Sequence, residues 1–348
     1  MPLPLTSEQF LSLVRAGILA PSADNRHPFR FAYSSDTIRV RGDESFLNAS
    51  YHRSILLRIS LGAVVQNLML EAGTQGFGVR THWFPDPADP ALVAQLDLSA
   101  GGDAEPQLAA AIPHRHTNRK LYFRGPPLDP EQLETLEHEV ELVAGARLVW
   151  LDARPVRRKA LRLVRLSEAE RFRNRPMHEE LFSSVRFDVG WNRVSDEGLA
   201  PGALGVEPPL RPIFRSLRHW SLMRLLNLVG GHHFMGIRAG DMPCRFAPHL
   251  AVIVTDWAVE QGAVAVGRAF ERLWLRAQIS GLALQPLAAS ALFALPGYAD
   301  VPSALRHQLQ RGWSDIVGDA RPLMVFRLGM ATAPEIGSGR RPLETYVT

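Results

Sequence analysis

The sequence has 348 residues, of which 46% are hydrophobic and 21% charged, a balance typical of a globular protein and one that excludes wholesale disorder. A formal net charge of +4 does not by itself indicate a polyanionic partner, and one cysteine, Cys244, excludes an internal disulfide framework. The sequence contains no run of about 18 uncharged apolar residues and no secretory signal pattern at its start, so we expect a cytoplasmic protein without a membrane span.

The first 100 residues predict a helix, a hairpin, a long helix and two further strands. Thr6 or Ser7 precedes apolar residues at helical spacing, which predicts a capped helix that ends before Pro21. A polar loop over 20–29 leads to two alternating runs around 34–36, a hairpin pattern. A long helix is predicted over about 52–75, and the next strand candidates are VRTHWF and LVAQLDL.

An internal repeat is the most informative feature. The segments GAVVQNLMLEAGTQGFG (62–78) and GRAFERLWLRAQISGLA (267–283) align at a constant offset of 205, so that Gly62 meets Gly267 and Gly76 meets Gly281. Three further identities lie in register, and each copy stands between two strand candidates. Two unrelated amphipathic helices with glycine stops would be the alternative, but the flanking strands favour a duplication.

Weaker similarities extend the repeat. LTSEQFLSLVRAG resembles LDPEQLETLEHEV (128–140), and LVAQLDL parallels PLMVFRLG (322–329). We therefore expect an α+β fold of two tandem halves, 1–110 and 111–348, that form an intramolecular pseudo-dimer around mixed or antiparallel sheets. The second half would carry an insertion within about 165–247, which contains the apolar helix RHWSLMRLLNLVGG and has the character of a lid.

The stretch RHTNRK (115–120) gathers hydrogen-bond donors at the start of the second half. In an extended segment Arg115, Thr117 and Arg119 would point to one side and could hold a single phosphate. Solvated surface is an equally open alternative. A nucleic-acid track is disfavoured because only Tyr122 and Phe123 lie near enough to stack on bases.

Four segments in order resemble the nitroreductase-like flavoprotein family. They are APSADNRHPFRF, RHTNRK, GLALQPL (281–287) and FRLGMATAPEIGSGRRPLETYV (326–347). Members of that family are homodimers with FMN at the subunit interface. The uneven distribution of the motifs is similar to the tandem subfamily typified by mycobacterial Acg proteins, in which one chain replaces the dimer.

The resemblance implies the residues of an FMN site. Residues from the middle of the chain and from the tail would hold the phosphate and ribityl chain: Arg115, His116, Thr117, Arg119, Arg340 and Arg341. Residues from both halves would contact the flavin ring: Ser22, Asn25, Pro28, Gln285, Pro286 and Leu287. No side chain is required as a catalytic acid or base.

The resemblance also implies a ping-pong oxidoreductase. NAD(P)H would transfer hydride to the flavin, and an electron-poor acceptor such as a nitroaromatic or quinone would then take its place. The alternative is a non-catalytic FMN-binding or storage protein whose lid closes the site. We expect no nucleic-acid or membrane partner, and either a monomeric pseudo-dimer or a homodimer.

Two other features predict little chemistry. The adjacent histidines of GHHFMG (231–236) lack further metal ligands at suitable spacing, so no metal site is expected. Cys244 has no obvious base nearby and is interpreted as a buried structural thiol.

Overall fold

The computed structural model describes residues 5–348. The first part of the chain contains four helices and four strands: α1 (Ser7–Ile18), β1 (Phe29–Ser34), β2 (Thr37–Gly42), α2 (Glu44–Ala49), α3 (Tyr51–Thr74), β3 (Phe77–Trp83), β4 (Leu92–Ala100) and α4 (Pro106–Ala111). The predicted hairpin and long helix are confirmed, whereas the short helix α2 was not predicted.

The second part repeats this order with additions. Its elements are α5 (Pro130–Glu141), β5 (Arg147–Trp150), α6 (Arg154–Arg173), α7 (Arg175–Ser183), α8 (Arg211–Ser216), α9 (Trp220–Asn227), α10 (Gly231–Gly236), α11 (Met242–Arg245), β6 (His249–Thr255), α12 (Val259–Ile279), β7 (Ala283–Pro286), α13 (Ala289–Leu292), α14 (Ser303–Val317) and β8 (Arg321–Gly329). A π-helical turn, Ile237–Asp241, joins α10 to α11.

The two halves have the same sheet topology. The first sheet has the order β1-β2-β4-β3 and the second β5-β6-β8-β7, and every pair of neighbouring strands is antiparallel. A helix precedes the first strand of each sheet, and a long helix joins the second strand to the third. The expected α+β fold with two tandem halves is therefore confirmed, and its sheets are antiparallel rather than mixed.

Local signals recur at equivalent places in the two halves. Thr6 and Asp129 each cap the first helix of their half through a capping box, with Gln9 and Gln132 as the respective partners. Each long helix is followed by a glycine with positive φ, Gly76 at 79° and Gly281 at 70°, which lets the chain turn into the next strand.

Helices α3 and α12 pack against each other through reciprocal glycine contacts. A β-carbon on Gly62 would lie 2.1 Å from the carbonyl oxygen of Val264, and one on Gly267 would lie 1.9 Å from that of Ile59. The offset of 205 that relates Gly62 to Gly267 also relates Ile59 to Val264. The contact of Gly62 with Val264 is therefore equivalent to the contact of Gly267 with Ile59. This reciprocity is the pattern of an isologous dimer interface, here formed within one chain.

The same helices connect two hydrophobic cores. Val264 of α12 is buried in the core of the first half, and Ile59 of α3 is buried in that of the second. Helix α3 is long and apolar enough to cross a membrane by composition alone, but 78% of its most apolar stretch is buried inside the protein. That burial identifies it as a central core helix.

The main departure from internal symmetry lies between β5 and β6. A tight turn joins β1 to β2, whereas residues 151–248 join β5 to β6 and include helices α6 to α11. The extra connection therefore begins about a helix before the predicted boundary at 165, because α6 packs its apolar face on the second sheet, with Leu161 and Val164 buried there. The second half also contains α13 and α14 between β7 and β8.

The C-terminal tail crosses from the second half to the first. After β8 it reaches the edge of β1, where Val347 forms a parallel bridge with Phe31 and the Thr348 amide donates to the Phe31 carbonyl over 2.9 Å. The ring of Tyr346 is fully buried in the core of the first half. This crossing carries Arg340 and Arg341 to the loop between α1 and β1.

Candidate functional site

Asn25 joins three distant segments at the centre of the candidate site. Asp24 and Asn25 both adopt positive φ, 55° and 54°, a conformation that Asn and Asp tolerate best after glycine. The buried Asn25 amide donates to the carbonyls of Ser195 at 3.2 Å and Gly198 at 3.1 Å, and its oxygen accepts from Arg340 at 3.0 Å. The first-half loop, the insertion and the tail therefore meet at one side chain.

Arg340 closes the C-terminal end of α1. Its guanidinium donates to the carbonyl of Ile18, to that of Leu19 at 3.0 Å and to that of Ala20 at 3.1 Å. These carbonyls have no partner within the helix, and a cation is favoured at this end of the helix dipole. Burial, followed by the nearby charge of Arg115, lowers the pKa of Arg340 to about 10, so it stays charged at neutral pH.

Arg115 reaches the same carbonyl from the middle of the chain. It donates to Leu19 O at 2.8 Å, its charge lies 4.5 Å from the ring centre of Trp274, and its Nε is 3.2 Å from a carboxylate oxygen of Glu271. The angle of this last contact is not that of a hydrogen bond, so both Glu271 oxygens lack one among the described residues. Burial raises the pKa of Glu271 and the Arg115 charge opposes that change.

The segment 115–119 lies beside β7. Thr117 forms a parallel bridge with Leu284, and the backbone N–H of Asn118 donates to the Leu284 carbonyl at 3.0 Å. This pairing brings the RHTNRK segment next to Gln285 and the residues that follow it. His116 contacts the carbonyl of His114 through Nδ1 at 2.8 Å.

The insertion lies directly on this segment and on the loop of Asn25. We call residues 184–205 the covering segment. Arg119 donates to the carbonyl of Ala203 at 3.3 Å, and a β-carbon on Gly205 would lie 2.3 Å from the Arg119 carbonyl. Ser184 donates to Asp24 at 3.0 Å. Burial lowers the pKa of Arg119, while Asp24 raises it.

Arg341 and His27 form a second buried polar group. Arg341 donates to the His27 carbonyl at 2.8 Å, and its guanidinium lies 5.1 Å from the ring centre of Tyr346. The His27 ring is 1% exposed, and neither ring nitrogen has a hydrogen bond among the described residues. Burial, then Arg340 and Arg341, lower the pKa of His27 to about 3, so the ring is neutral.

The structure brings the predicted residues of the middle and the tail into one region. Arg115 and Arg340 share the Leu19 carbonyl, and Arg340 contacts Asn25. Ser22 lies in the same loop with its buried hydroxyl unpaired among the described residues, and Pro28 precedes β1. Gln285, Pro286 and Leu287 lie at the end of β7, where Gln285 accepts from Arg327 at 2.7 Å.

Two buried residues of this region were not predicted. Asn118 is fully buried and donates to the Thr332 carbonyl at 2.8 Å, which ties the start of the tail to the RHTNRK segment. Arg327, fully buried in β8, donates to the carbonyls of Leu121 and Pro243 at 2.9 and 2.8 Å. A lone charge within the apolar strand PLMVFRLG was the only available signal for Arg327.

A small cavity lies beside the covering segment. It has a volume of about 230 Å³, below the roughly 300–1,000 Å³ usual for small-molecule sites, and is lined by Arg26, Ser183, Ser184, Arg186, Glu197 and Gly198. A larger one, of about 590 Å³, lies elsewhere, along the arginines of α6. Residues 184–205 cover part of the candidate site through their contacts with Asn25 and Arg119.

Comparisons with known proteins support the resemblance seen in the sequence. No family model matches the chain. It is 25% identical over 352 residues to an uncharacterised protein of Mycobacterium tuberculosis, a match that covers 94% of this chain and 47% of that protein. It is 27% identical over 184 residues to Acg of Mycobacterium tuberculosis, provisionally named an NAD(P)H nitroreductase, with 51% and 54% covered. The chain spans about half the length of the curated relatives it matches.

Solved structures with partial similarity carry related names. An FMN-bound nitroreductase of Desulfitobacterium hafniense superposes with a TM-score of 0.36 at 16% identity, covering 70% of this chain and 97% of that one. The nitroreductase NfnB of Mycobacterium smegmatis, in complex with NADPH, gives 0.36 at 19% identity, covering 69% and 96%. By its sequence matches, this chain with two sheets of equivalent strand order resembles the nitroreductase-like proteins, among them mycobacterial Acg.

Proposed function

We propose that the chain binds FMN at the junction of its two halves and acts as a nitroreductase-type oxidoreductase in the cytoplasm. The observation that carries this proposal is the meeting of three sequence motifs at one place. Arg115 and Arg340 bond the same Leu19 carbonyl although they lie in the middle and the tail of the chain, and Asn25 bonds Arg340. The names of Acg and of the FMN-bound nitroreductase support the same reading.

The donors at this junction suit a phosphate dianion. Arg119, His116 and Thr117 would bind it from one side and Arg341 from the tail. Ser22 Oγ and Arg341 Nε are buried without a hydrogen bond among the described residues, and a polar ligand group would satisfy them. Arg115 and Arg340 already bond protein carbonyls, so their main contribution would be positive potential.

The residues of β7 would contact the ring of the cofactor. Gln285 uses its oxygen to accept from Arg327 over 2.7 Å, which leaves its amide hydrogens for a ring acceptor. Pro286 and Leu287 would supply apolar contact, and Asn25 and Pro28 would approach from the first half. When bound, FMN would supply hydride transfer between NAD(P)H and an electron-poor acceptor, such as a nitroaromatic or a quinone. One chain would be enough to bind the cofactor, because it contains both halves of the junction.

The first test is cofactor binding by matched arginine variants. Arg119→Ala removes a half-buried donor of the proposed phosphate site, whereas Arg124→Ala removes an exposed arginine of the same stretch. Titration of the apoprotein with FMN, followed by flavin fluorescence, should show at least tenfold weaker binding for Arg119→Ala and unchanged binding for Arg124→Ala. Equal binding by both variants would contradict the phosphate role.

A non-catalytic FMN-binding or storage protein is the second candidate. The covering segment favours it, because Ser195 and Gly198 bond Asn25, and Ala203 and Gly205 contact Arg119. A segment that rests on both sides of the junction would hinder the entry of a nicotinamide.

Excision of part of the covering segment distinguishes the two candidates. Val185 and Leu199 form a parallel bridge, so residues 187–198 can be replaced by a few glycines between ends that already lie close. An oxidoreductase loaded with FMN should be bleached anaerobically by NADH or NADPH in its intact form. A storage protein should be bleached, and should release flavin quickly, only after the excision.

A further inference from the structure

The insertion carries an exposed apolar surface at the turn between α9 and α10. We define the tip surface as Leu225, Leu228, Val229 and Phe234, whose exposed fractions are 62%, 80%, 85% and 66%. The opposite side of the same helices is packed: Met223 is fully buried against Phe172 and Phe182. The tip surface is thus the outward side of a folded element.

Exposed apolar side chains are concentrated here. Single exposed leucines are ordinary on a protein surface, but contiguous groups of them mark interaction sites. Half of the large hydrophobic residues exposed over residues 5–348 fall within 210–237; these are Leu210, Ile213, Leu225, Leu228, Val229, Phe234 and Ile237. Such a grouping is typical of a surface that binds an apolar partner.

The same segment is uniformly basic. Residues 208–240 contain five arginines and no aspartate or glutamate. Arg238 pairs with Glu207, just outside the segment, while Arg215 and Arg224 are exposed. The backbone of Arg165 packs against Gly236, and Arg165 also lines a cleft along α6 in which six arginines outnumber Asp152 and Asp241. Exposed arginines therefore accompany the apolar tip residues on the same segment of the insertion.

We propose that the tip surface docks on an anionic lipid surface. Short amphipathic helices with aliphatic residues beside arginines insert their apolar side at the lipid boundary, while the cations bind lipid headgroups. A second copy of the chain is disfavoured as the occupant, since a twofold contact would bring two acid-free basic segments together. This peripheral contact departs from the sequence-based expectation of no membrane partner, and it involves no membrane-spanning helix.

Binding to vesicles tests the proposal with the full chain. Purified protein is sedimented with vesicles of phosphatidylcholine alone or mixed with phosphatidylglycerol, at low and high salt. We expect binding only to the anionic vesicles and a strong loss of binding at high salt, because ionic attraction near the surface is screened. Equal binding to both vesicle types, or none to either, would overturn the proposal.

Two double variants assign the binding to the tip surface. L228D/V229D should weaken binding at least tenfold. R215E/R224E should weaken it by more than roughly fivefold at each position, because each change removes a positive charge and adds a negative one. The matched control R39E/R80E makes the same charge change at exposed arginines of β2 and β3 and should bind at least tenfold better than R215E/R224E. Circular dichroism checks that every variant is folded.

If a second copy of the chain covered the tip surface, the experiments would give different results. Light scattering of the free protein would then show a dimer that L228D/V229D converts to a monomer, without vesicle binding by the intact chain. That result, or equal vesicle binding by the tip and control variants, would refute the lipid assignment.

Discussion

His27 shows how a single buried side chain makes stability depend on pH. Its pKa is about 3 in the folded protein and near 6.5 when exposed, because burial and two arginines disfavour the charged ring. Below pH 6.5 the unfolded chain therefore binds a proton that the folded chain does not bind. The contribution of this residue is fully present above pH 6.5 and declines as the pH falls towards 3.

We expect His27→Gln to reduce this pH dependence. Between pH 6.5 and pH 5 the free energy of unfolding of the wild type should fall by about 1.1 kcal/mol per pH unit more than that of the variant. Urea unfolding at several pH values measures both slopes. Parallel slopes would mean that the ring is protonated in the folded protein or solvated in a way that the structure does not show.

Arg340 should be more important for stability than its neighbour Arg341. Arg340→Lys leaves one ammonium group to bond the carbonyls of Ile18, Leu19 and Ala20. We therefore expect the free energy of unfolding to fall by about 2 kcal/mol or more. Arg341→Lys affects one side-chain hydrogen bond, to the His27 carbonyl, and should lower the free energy of unfolding by less. Thermal and urea unfolding of the two variants compare them directly, and equal losses would contradict the role of Arg340 at the end of α1.

For single residues, the sequence identified candidate hydrogen-bond donors better than it identified the groups that they bond. The arginines of RHTNRK and SGRRP were found as candidate donors, and the structure brings Arg115 and Arg340 together. Their bonds to Leu19 O and the contact with Glu271 depend on how distant segments fold together, which no local pattern encodes. The positive φ of Asn25 was equally invisible, because most Asn residues have negative φ and the sequence does not mark the exceptions.

The glycines of α3 and α12 set the distance between the two central helices. We expect Gly62→Ala and Gly267→Ala each to lower the free energy of unfolding by about 2 kcal/mol or more, because the new methyl group would overlap a backbone carbonyl of the facing helix. Denaturant unfolding of both variants measures the two losses, which should be similar because the contacts are reciprocal.

Gly337→Ala is the matched control for these variants. A β-carbon at Gly337 would meet no atom within 4 Å, and its φ is not positive, so this change should be nearly neutral. A neutral effect of Gly62→Ala together with a large effect of Gly267→Ala would contradict the internal symmetry of the helix pair.

Elements with short-range signals were predicted well. The capped first helix, the hairpin and the long helix α3 each depend on neighbouring residues, and all are present. The start of the insertion was placed too late, because α6 has an apolar face like that of any core helix and its amphipathic pattern does not reveal which strands it connects. The contacts of residues 184–205 with Asn25 and Arg119 were likewise beyond local patterns.

The two halves are interlocked at the scale of the whole molecule. The tail of the second half pairs with β1 of the first, and Ile59 and Val264 each lie in the core of the opposite half. Arg272 of α12 bonds Glu105 at 2.6 and 2.7 Å and Glu139 at 2.7 Å, which joins residues before and after the RHTNRK segment. Neither half can lose its structure without exposing the core of the other.

We therefore expect the central helices to open only when the whole protein unfolds. Amide hydrogen exchange of the native chain should give the same opening free energy for peptides of α3 and of α12, equal to the global free energy of unfolding, since each helix is buried against the other. The exposed turn between α9 and α10 should exchange with a much lower opening free energy.

Gly62→Ala provides the decisive variant for this prediction. If the helix pair is one cooperative unit, a mutation in α3 must reduce the opening free energy of α12 by the same amount as that of α3 itself. A reduction confined to α3 would show that the first half opens separately, and the two sheets would then be independent domains joined by a loose contact.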